Sequence, residues 1–338
     1  MTAIISTTIN IPKVFALYAA MDPEVEIIIA GDLKSPDEAE DWFYENCGPK
    51  ARLQYMTPDQ QRDLGYKSSE LTGWNCDSRR NIALLEAVKG GADDIISCDD
   101  DMIPLRPGFL TDMEDRLDLP FNGMMLGVPG FWFDAGRYTM PPAAQRGLPA
   151  DIDCISNNEF VANARVGLVQ GIILGTPDTD AMTAMAGKPR IHGVTDVLRA
   201  GFVVDPEALA VVNSQNTGFI RELAPAFAQF YKWHGRNTDI FSSLIMRRLM
   251  RDRNLYTYFG PPMSFHARKS RPLFGDLKAE MYGIAHIQEL NDGLNRMSFD
   301  DASVLEGCRK VVHDLPSIFT PECAECANAF LDDMESVL

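Results

Sequence analysis

Three carboxylates in a row, Asp99, Asp100 and Asp101, follow a short apolar run containing Ile95 and Ile96. Adjacent acids repel one another unless water or a shared cation screens them. At the C-terminal end of a buried strand they occupy the place where open α/β sheets bind ligands. Mg²⁺ and Mn²⁺ prefer carboxylate oxygens and often share them with substrate phosphates. The triplet therefore points to a metal-assisted site for a nucleotide diphosphate, with a solvated acidic turn as the alternative.

A second group lies far along the chain. His266, Arg268, Lys269 and Arg271 form a basic cluster in a protein with 48 acids against 31 bases and a net charge of −17. That local inversion of charge suits a diphosphate, which oriented cations bind well. His266 would serve as a metal ligand or a phosphate contact. Asp32 ends an apolar run and could accept a hydrogen bond from a nucleobase, or simply form a turn. Arg80 and Asn81 fall in the first turn of a helix, where free N–H groups favour anions. Asp239 also falls in a first turn, where the helix dipole stabilises an acid in any case.

The elements that would position these residues follow from pattern. Residues 3–9 are β-branched and strand-like, and Val25 to Ala30 is a continuous apolar run expected to be a buried strand. A helical stretch is expected from Pro12 to about Met21, and Ser35-Pro36-Asp37-Glu38 has the signature of a helix start. Asp77 or Ser78 would cap a helix ending at Gly90-Gly91, ahead of a strand over 94–98. This alternation implies a parallel sheet with helices on both faces. Residues 120–165 lack periodicity and suggest a lid or binding loop. Further strands are expected at Val166 to Leu174, over 201–220 and at Tyr256 to Phe259. Helices are expected from Pro177 to about Ala186, after Asn237, and from Leu277 onward.

The bulk composition sets limits. At 338 residues, 46% hydrophobic and 23% charged, the chain is an ordinary globular one. Its acidity argues against a broad nucleic-acid surface or an anionic-membrane surface, because both rest on clustered Lys and Arg. No apolar run is long enough to span a membrane, and residues 1–11 lack the pattern of a signal peptide. Seven cysteines, an odd number, suggest a reducing cytoplasm. The Cys323/Cys326 pair is half of a zinc spacing and lacks its other half.

Four stretches, in order, resemble the reversibly glycosylated polypeptide family, which includes the plant UDP-arabinopyranose mutases. Arg80-Asn81-Ile82 ahead of Cys98-Asp99-Asp100-Asp101-Met102 is similar to that family's Arg-Asn helix and Asp-Asp-Asp strand end. Gly171 to Ala181 is similar to Gly-Leu-Trp-Leu-Asn-Ile-Pro-Asp-Tyr-Asp-Ala, and Asn216 to Leu223 to Asn-Leu-Ala-Phe-Asp-Arg-Glu-Leu. His266 to Pro272, followed by Leu277 to Ile284, is similar to His-Ser-Lys-Ala-Ser-Asn-Pro and Leu-Lys-Lys-Glu-Tyr-Lys-Gly-Ile.

The resemblance implies an α/β fold of the glycosyltransferase A type: a Rossmann-like mixed sheet flanked by helices over 1–276, with a helical C-terminal extension over 277–338. It implies a UDP-sugar substrate and Mn²⁺ or Mg²⁺ as cofactor. Asp101, with Asp99 and His266, would hold the metal, and Asp99 would also face the ribose or sugar hydroxyls. Asp32, Arg80, Asn81, Arg268 and Lys269 would contact the nucleotide. Asp239 matches the second acid of a Tyr-Asp-Asp motif and would lie near the anomeric centre, with Asp100 as a further acid and Asn216 on the acceptor side. Self-glycosylation in that family uses an arginine. Arg165 is the candidate here and Arg146 the second, although the family's Tyr-Pro-Phe-Ser-Leu-Arg run is not reproduced. Three activities are consistent with these residues: a UDP-pentose mutase, a glycosyltransferase with a separate sugar acceptor, and a self-glycosylated scaffold. The helical C-terminal region could serve assembly into a homo-oligomer.

Overall fold

In the computed structural model the described residues are all but 23, 49–51, 150–153, 267 and 269–271. Ten strands form one mixed sheet: β1 (Thr2–Thr8), β2 (Glu26–Gly31), β3 (Arg52–Met56), β4 (Asp94–Cys98), β5 (Met102–Pro104), β6 (Phe121–Leu126), β7 (Asn158–Gly175), β8 (Phe202–Val204), β9 (Asn216–Ile220) and β10 (Leu255–His266). Their order across the sheet is β3-β2-β1-β4-β9-β7-β6-β8-β10-β5, and β7 also pairs with β10. The expected parallel arrangement holds for β1 to β4. Beyond β4 the sheet is mixed: β9 pairs antiparallel with β4, with Asn216 opposite Cys98, whereas β8 runs parallel to β6 and β10 parallel to β7.

The parallel half has the arrangement of open α/β sheets. Ile27, Ile28, Ile29, Ile95 and Ile96 are fully buried, as strands covered on both faces require. Helices α1 (Phe15–Met21), α2 (Ala39–Cys47) and α3 (Arg80–Lys89) connect these strands, so the ends of β1, β2 and β4 open on one edge. Helix α2 begins at Ala39 and not near Ser35. The Ser35 hydroxyl instead donates to the Thr8 carbonyl and accepts from the Asp32 amide, joining the ends of β1 and β2.

The 120–165 segment is not wholly irregular, because β6 and the first half of β7 lie within it. Residues 122–125 and 158–163 are half-buried or exposed, so no apolar alternation marks them. Their strand conformation comes from pairing with one another, as in Leu126 opposite Asn158. Strand β10 likewise runs on from Phe259 to His266, through two prolines and a shift in register against β7.

Helices α4 (Phe109–Asp118), α5 (Ala181–Gly187) and α6 (Thr238–Arg251) precede three C-terminal helices, α7 (Leu273–Arg296), α8 (Val304–Asp314) and α9 (Pro321–Val337). A boundary at residue 277 would cut through α7. The C-terminal helices also share their core with the sheet: Leu290, Phe330 and Met334 belong to the same buried cluster as Ile5, Leu85 and Phe219. Asp333 on α9 accepts hydrogen bonds from the amides of Lys67 and Ser68 at 3.0 and 2.7 Å, capping the short helix Lys67–Thr72. No helix among the described residues is long and apolar enough to cross a membrane.

Candidate functional site

The acid triplet forms a tight turn, closed by the Met102 amide on the Asp99 carbonyl at 3.2 Å. That turn feeds β5, which runs antiparallel to the end of β10 and sets His266 opposite Met102. Two residues 165 positions apart therefore meet: His266 Nε2 lies 3.0 Å from an Asp101 carboxylate oxygen. The other ring nitrogen, Nδ1, lies 3.0 Å from the Thr176 carbonyl and donates to it as N–H. A carbonyl on Nδ1 fixes the ring and points Nε2 at the Asp101 carboxylate. Burial raises the Asp101 carboxyl, but the His266 hydrogen bond and the charges of His266 and Arg268 outweigh it, so the group sits below its ordinary value.

The pair fits a hard divalent ion. Two ligand atoms each about 2.1 Å from one ion and at right angles are about 3 Å apart, as these two are. Among the described residues no group of three His, Cys, Asp or Glu could hold a metal. Two protein ligands with the remaining positions taken by phosphate oxygens is a common arrangement for Mg²⁺ in nucleotide sites.

Asp99 is held apart from that pair. Its carboxylate accepts from Arg80 at 2.5 Å, and its amide donates to the Gln215 carbonyl at 3.1 Å. Arg80 is buried, with a second bond to the Ser214 carbonyl at 3.3 Å. Burial disfavours its charge, but Asp99 and Asp77 outweigh that and raise its pKa. Arg80 thus orients Asp99. Asp77 is accessible to water although protein surrounds it. That protein, and then the charge of Asp99, push its carboxyl up.

Four expectations change. Asn81 is buried, and both ends of its amide bond the Gln229 main chain, at 2.8 and 2.9 Å, so it pins a loop. Asp100 accepts from the Thr8 hydroxyl and from Asn10 at 3.1 Å, which ties it to the end of β1 and not to a reacting centre. Burial raises its carboxyl against those bonds. Asp32 accepts from the amides of Leu33, Asn75 and Cys76, at 2.7, 2.7 and 3.1 Å, and is almost fully buried. Its carboxylate builds the wall of the β2 edge by holding the 73–76 loop. Arg165 is 64% exposed and pairs loosely with Glu222 at 3.7 Å. It lies ten residues before Gly175, the β7 residue opposite His266. At about 3.3 Å per residue that is about 30 Å from the acid turn, too far for a catalytic group.

Arg146 emerges in a different role. Its Nε lies 3.0 Å from both Asp178 oxygens, and Nη1 and Nη2 bond the two Asp239 oxygens at 3.0 and 2.8 Å. A guanidinium so enclosed is no nucleophile; it is a clamp between two acids. Asp239 also accepts from the Ser214 amide at 3.2 Å, which brings it to the strand-end loop beside Asp99. Arg236 bonds Glu280 and lies 3.7 Å from Asp178, extending the network onto α7. Gly235 permits this close approach: its φ is +58° and a Cβ there would sit 1.9 Å from the Ala279 carbonyl oxygen.

Arg268 is half-buried, and its Nη1 has no hydrogen-bond partner among the described residues. Burial lowers its pKa, opposed first by Asp178. Lys269 and Arg271 lie outside the described residues. Sequence reasoning missed Asp77, Asp178 and Arg236 as parts of the site. The only signal for Asp178 is its place in the quoted Gly171 to Ala181 stretch, where Pro177 and Asp178 are expected to begin a helix. Asn216 is fully buried at the start of β9, its amide donating to the Ser264 hydroxyl at 3.0 Å.

No protein-family model matches the chain, and no curated protein matches it. Solved structures similar to it include a glucosyl-3-phosphoglycerate synthase from Mycobacterium tuberculosis in complex with Mn²⁺ and UDP-glucose, at 13% identity and TM-score 0.44, covering 86% of this chain and 79% of that one. A mannosyltransferase from Pyrobaculum calidifontis with GDP-mannose and Mn²⁺ gives 12% identity and TM-score 0.41, over 99% and 86% of the two chains. TarS of S. aureus with UDP gives 12% identity and TM-score 0.37, over 99% and 89%. Likenesses this distant carry no argument, and the reading of the site rests on its geometry.

Proposed function

We propose that the protein is a metal-dependent glycosyltransferase of the A type, acting on a nucleotide sugar and a separate acceptor. The observation that carries this reading is the Asp101–His266 pair, 3.0 Å apart at the strand-end edge with Nδ1 anchored on Thr176. Asp101 and His266 would hold Mn²⁺ or Mg²⁺. Such an ion, when bound, neutralises the charge that develops on the departing diphosphate. Arg268 offers an unpartnered N–H to a phosphate oxygen. Asp99, oriented by Arg80, accepts from a ribose or sugar hydroxyl. Asp239, fixed by Arg146 and Ser214, presents a carboxylate where positive charge builds on the sugar ring.

Transfer to a separate acceptor is favoured over a mutase or a self-glycosylated scaffold by the two candidate arginines. Arg165 is remote, and Arg146 is locked between acids. Uridine as the base, and a pentose as the sugar, rest on the sequence resemblance.

Calorimetry of UDP with Mn²⁺ tests the site. Asp101→Asn is expected to abolish metal-dependent UDP binding, and His266→Ala to weaken it by a smaller factor. Undiminished binding by Asp101→Asn would overturn the assignment. Incubation with UDP-arabinopyranose and Mn²⁺ tests the activity: slow UDP release fits a transferase lacking its acceptor, and a furanose product would restore the mutase.

A further inference from the structure

A cavity of about 530 Å³ lies between the 134–149 segment and helices α5 and α7, within the range of small-molecule sites. Leu148, Met182, Ile284 and Ile287 give it an apolar wall. Asn237, almost fully buried, also lines it, with Gln145, Asp180 and Thr183 as further polar lining. Those polar side chains suit a ligand that carries hydroxyls. Met182 and Ile284 are 43% and 39% exposed at the rim, and Met281 and Phe274 on α7 are 55% and 81% exposed. Apolar surface on the helix that forms the rim suits a ligand with an apolar part reaching outward.

The position of the cavity relates it to the site. Arg146 lines it, and the same guanidinium holds Asp239 at 2.8 Å. Glu280 lines it too and bonds Arg236, which lies 3.7 Å from Asp178. Arg146 thus borders both the cavity and the carboxylate assigned to the sugar.

We propose that this cavity is the acceptor subsite, and that it takes an acceptor with a hydroxylated head on an apolar body. The inference rests on the transferase reading. In the reaction the acceptor hydroxyl oxygen forms the new bond to the anomeric carbon. The bond to the diphosphate oxygen breaks, its electron pair leaves with the nucleotide diphosphate, and the hydroxyl proton passes to solvent.

The test uses the full chain with UDP and Mn²⁺, and two probes followed by saturation-transfer NMR: 4-nitrophenyl β-D-glucopyranoside and D-glucose. The aryl glycoside is expected to bind, and glucose to bind about tenfold or more weakly, the equivalent of losing one buried apolar group. Ile284→Trp, which fills the cavity, and Met182→Glu, at the exposed rim, are each expected to weaken the aryl glycoside by about tenfold. Equal binding of the two probes, no binding of either, or unchanged aryl-glycoside affinity in both variants would overturn the proposal. Calorimetry of UDP with Mn²⁺ on the same samples separates the two ideas: its loss in the wild type counts against the transferase reading, whatever the probes do.

Discussion

Arg146→Met removes one side chain and strands two acids. Arg146 is 5% exposed, and the side chains of Asp178 and Asp239 are 2% and 7% exposed. Breaking a buried pair by deleting one partner costs roughly 3–5 kcal/mol, because the surviving charge stays buried without compensation. One guanidinium serves both carboxylates here, which puts the expected cost near the upper end, about 5 kcal/mol. The pH dependence has a definite sign. In the wild type, burial pushes the Asp178 carboxyl up, and Arg146, by charge and hydrogen bond, pulls it down further, to about 2. A depressed carboxyl contributes stability above its unfolded value, near 3.8, and that contribution fades as the pH falls towards 2. Without Arg146 the burial effect is opposed only by Arg236, 3.7 Å away, and Arg268, so the Asp178 carboxyl in the variant rises from about 2. The deficit is then largest at neutral pH and shrinks on acidification, as the stranded acid takes up a proton. Urea unfolding of both proteins at pH 7 and pH 5 measures this. A variant within about 1 kcal/mol of the wild type at pH 7, or a gap that widens at pH 5, would refute the buried-clamp reasoning. Adding Asp178→Asn and Asp239→Asn to the variant is expected to recover part of the loss, since the stranded charges go with them.

Arg165→Ala is expected to leave unfolding free energy within about 0.5 kcal/mol and UDP–Mn²⁺ affinity unchanged, because an exposed pair at 3.7 Å contributes little. A large drop in affinity by calorimetry would return Arg165 to the site. His234 is buried against Phe241 and Tyr282, with Nε2 at 3.2 Å from the Ile318 carbonyl, and burial pushes it down to about 4. It is neutral in the fold, whereas the unfolded chain takes up a proton near 6.5, so stability present above pH 6.5 is lost as pH falls towards 4, on the order of 3 kcal/mol in all. His234→Phe should flatten that part of the acid-unfolding curve. Identical slopes for the two proteins between pH 6.5 and 4.5 would remove His234 as its source.

Local pattern carried the parallel half of the fold. The expected strand over 94–98 is β4, and the run from Val25 to Ala30 is β2 displaced by one residue, because a strand buried on both faces has to be continuously apolar. The same reasoning failed over 120–165 because β6 and early β7 are half-exposed and owe their conformation to each other. It failed at Ser35, where a capping signature met a hydroxyl already committed to joining two strand ends.

Chemistry divides along the same line. The run of three acids after a buried strand was visible in the chain, and so was the lone histidine in a basic stretch of an acidic protein. Residue types and their neighbours in sequence are enough to show that such groups need a cation or an anion. Only the tertiary structure decided which acid does what. Asp101 meets His266 because β5 doubles back along β10. Asp100 is tied to β1, Asp99 is turned by Arg80, and Arg146 is enclosed by acids 32 and 93 residues away. The charge of a side chain is set by its own atoms, whereas its freedom to react is set by what packing across the chain brings within about 3 Å of it.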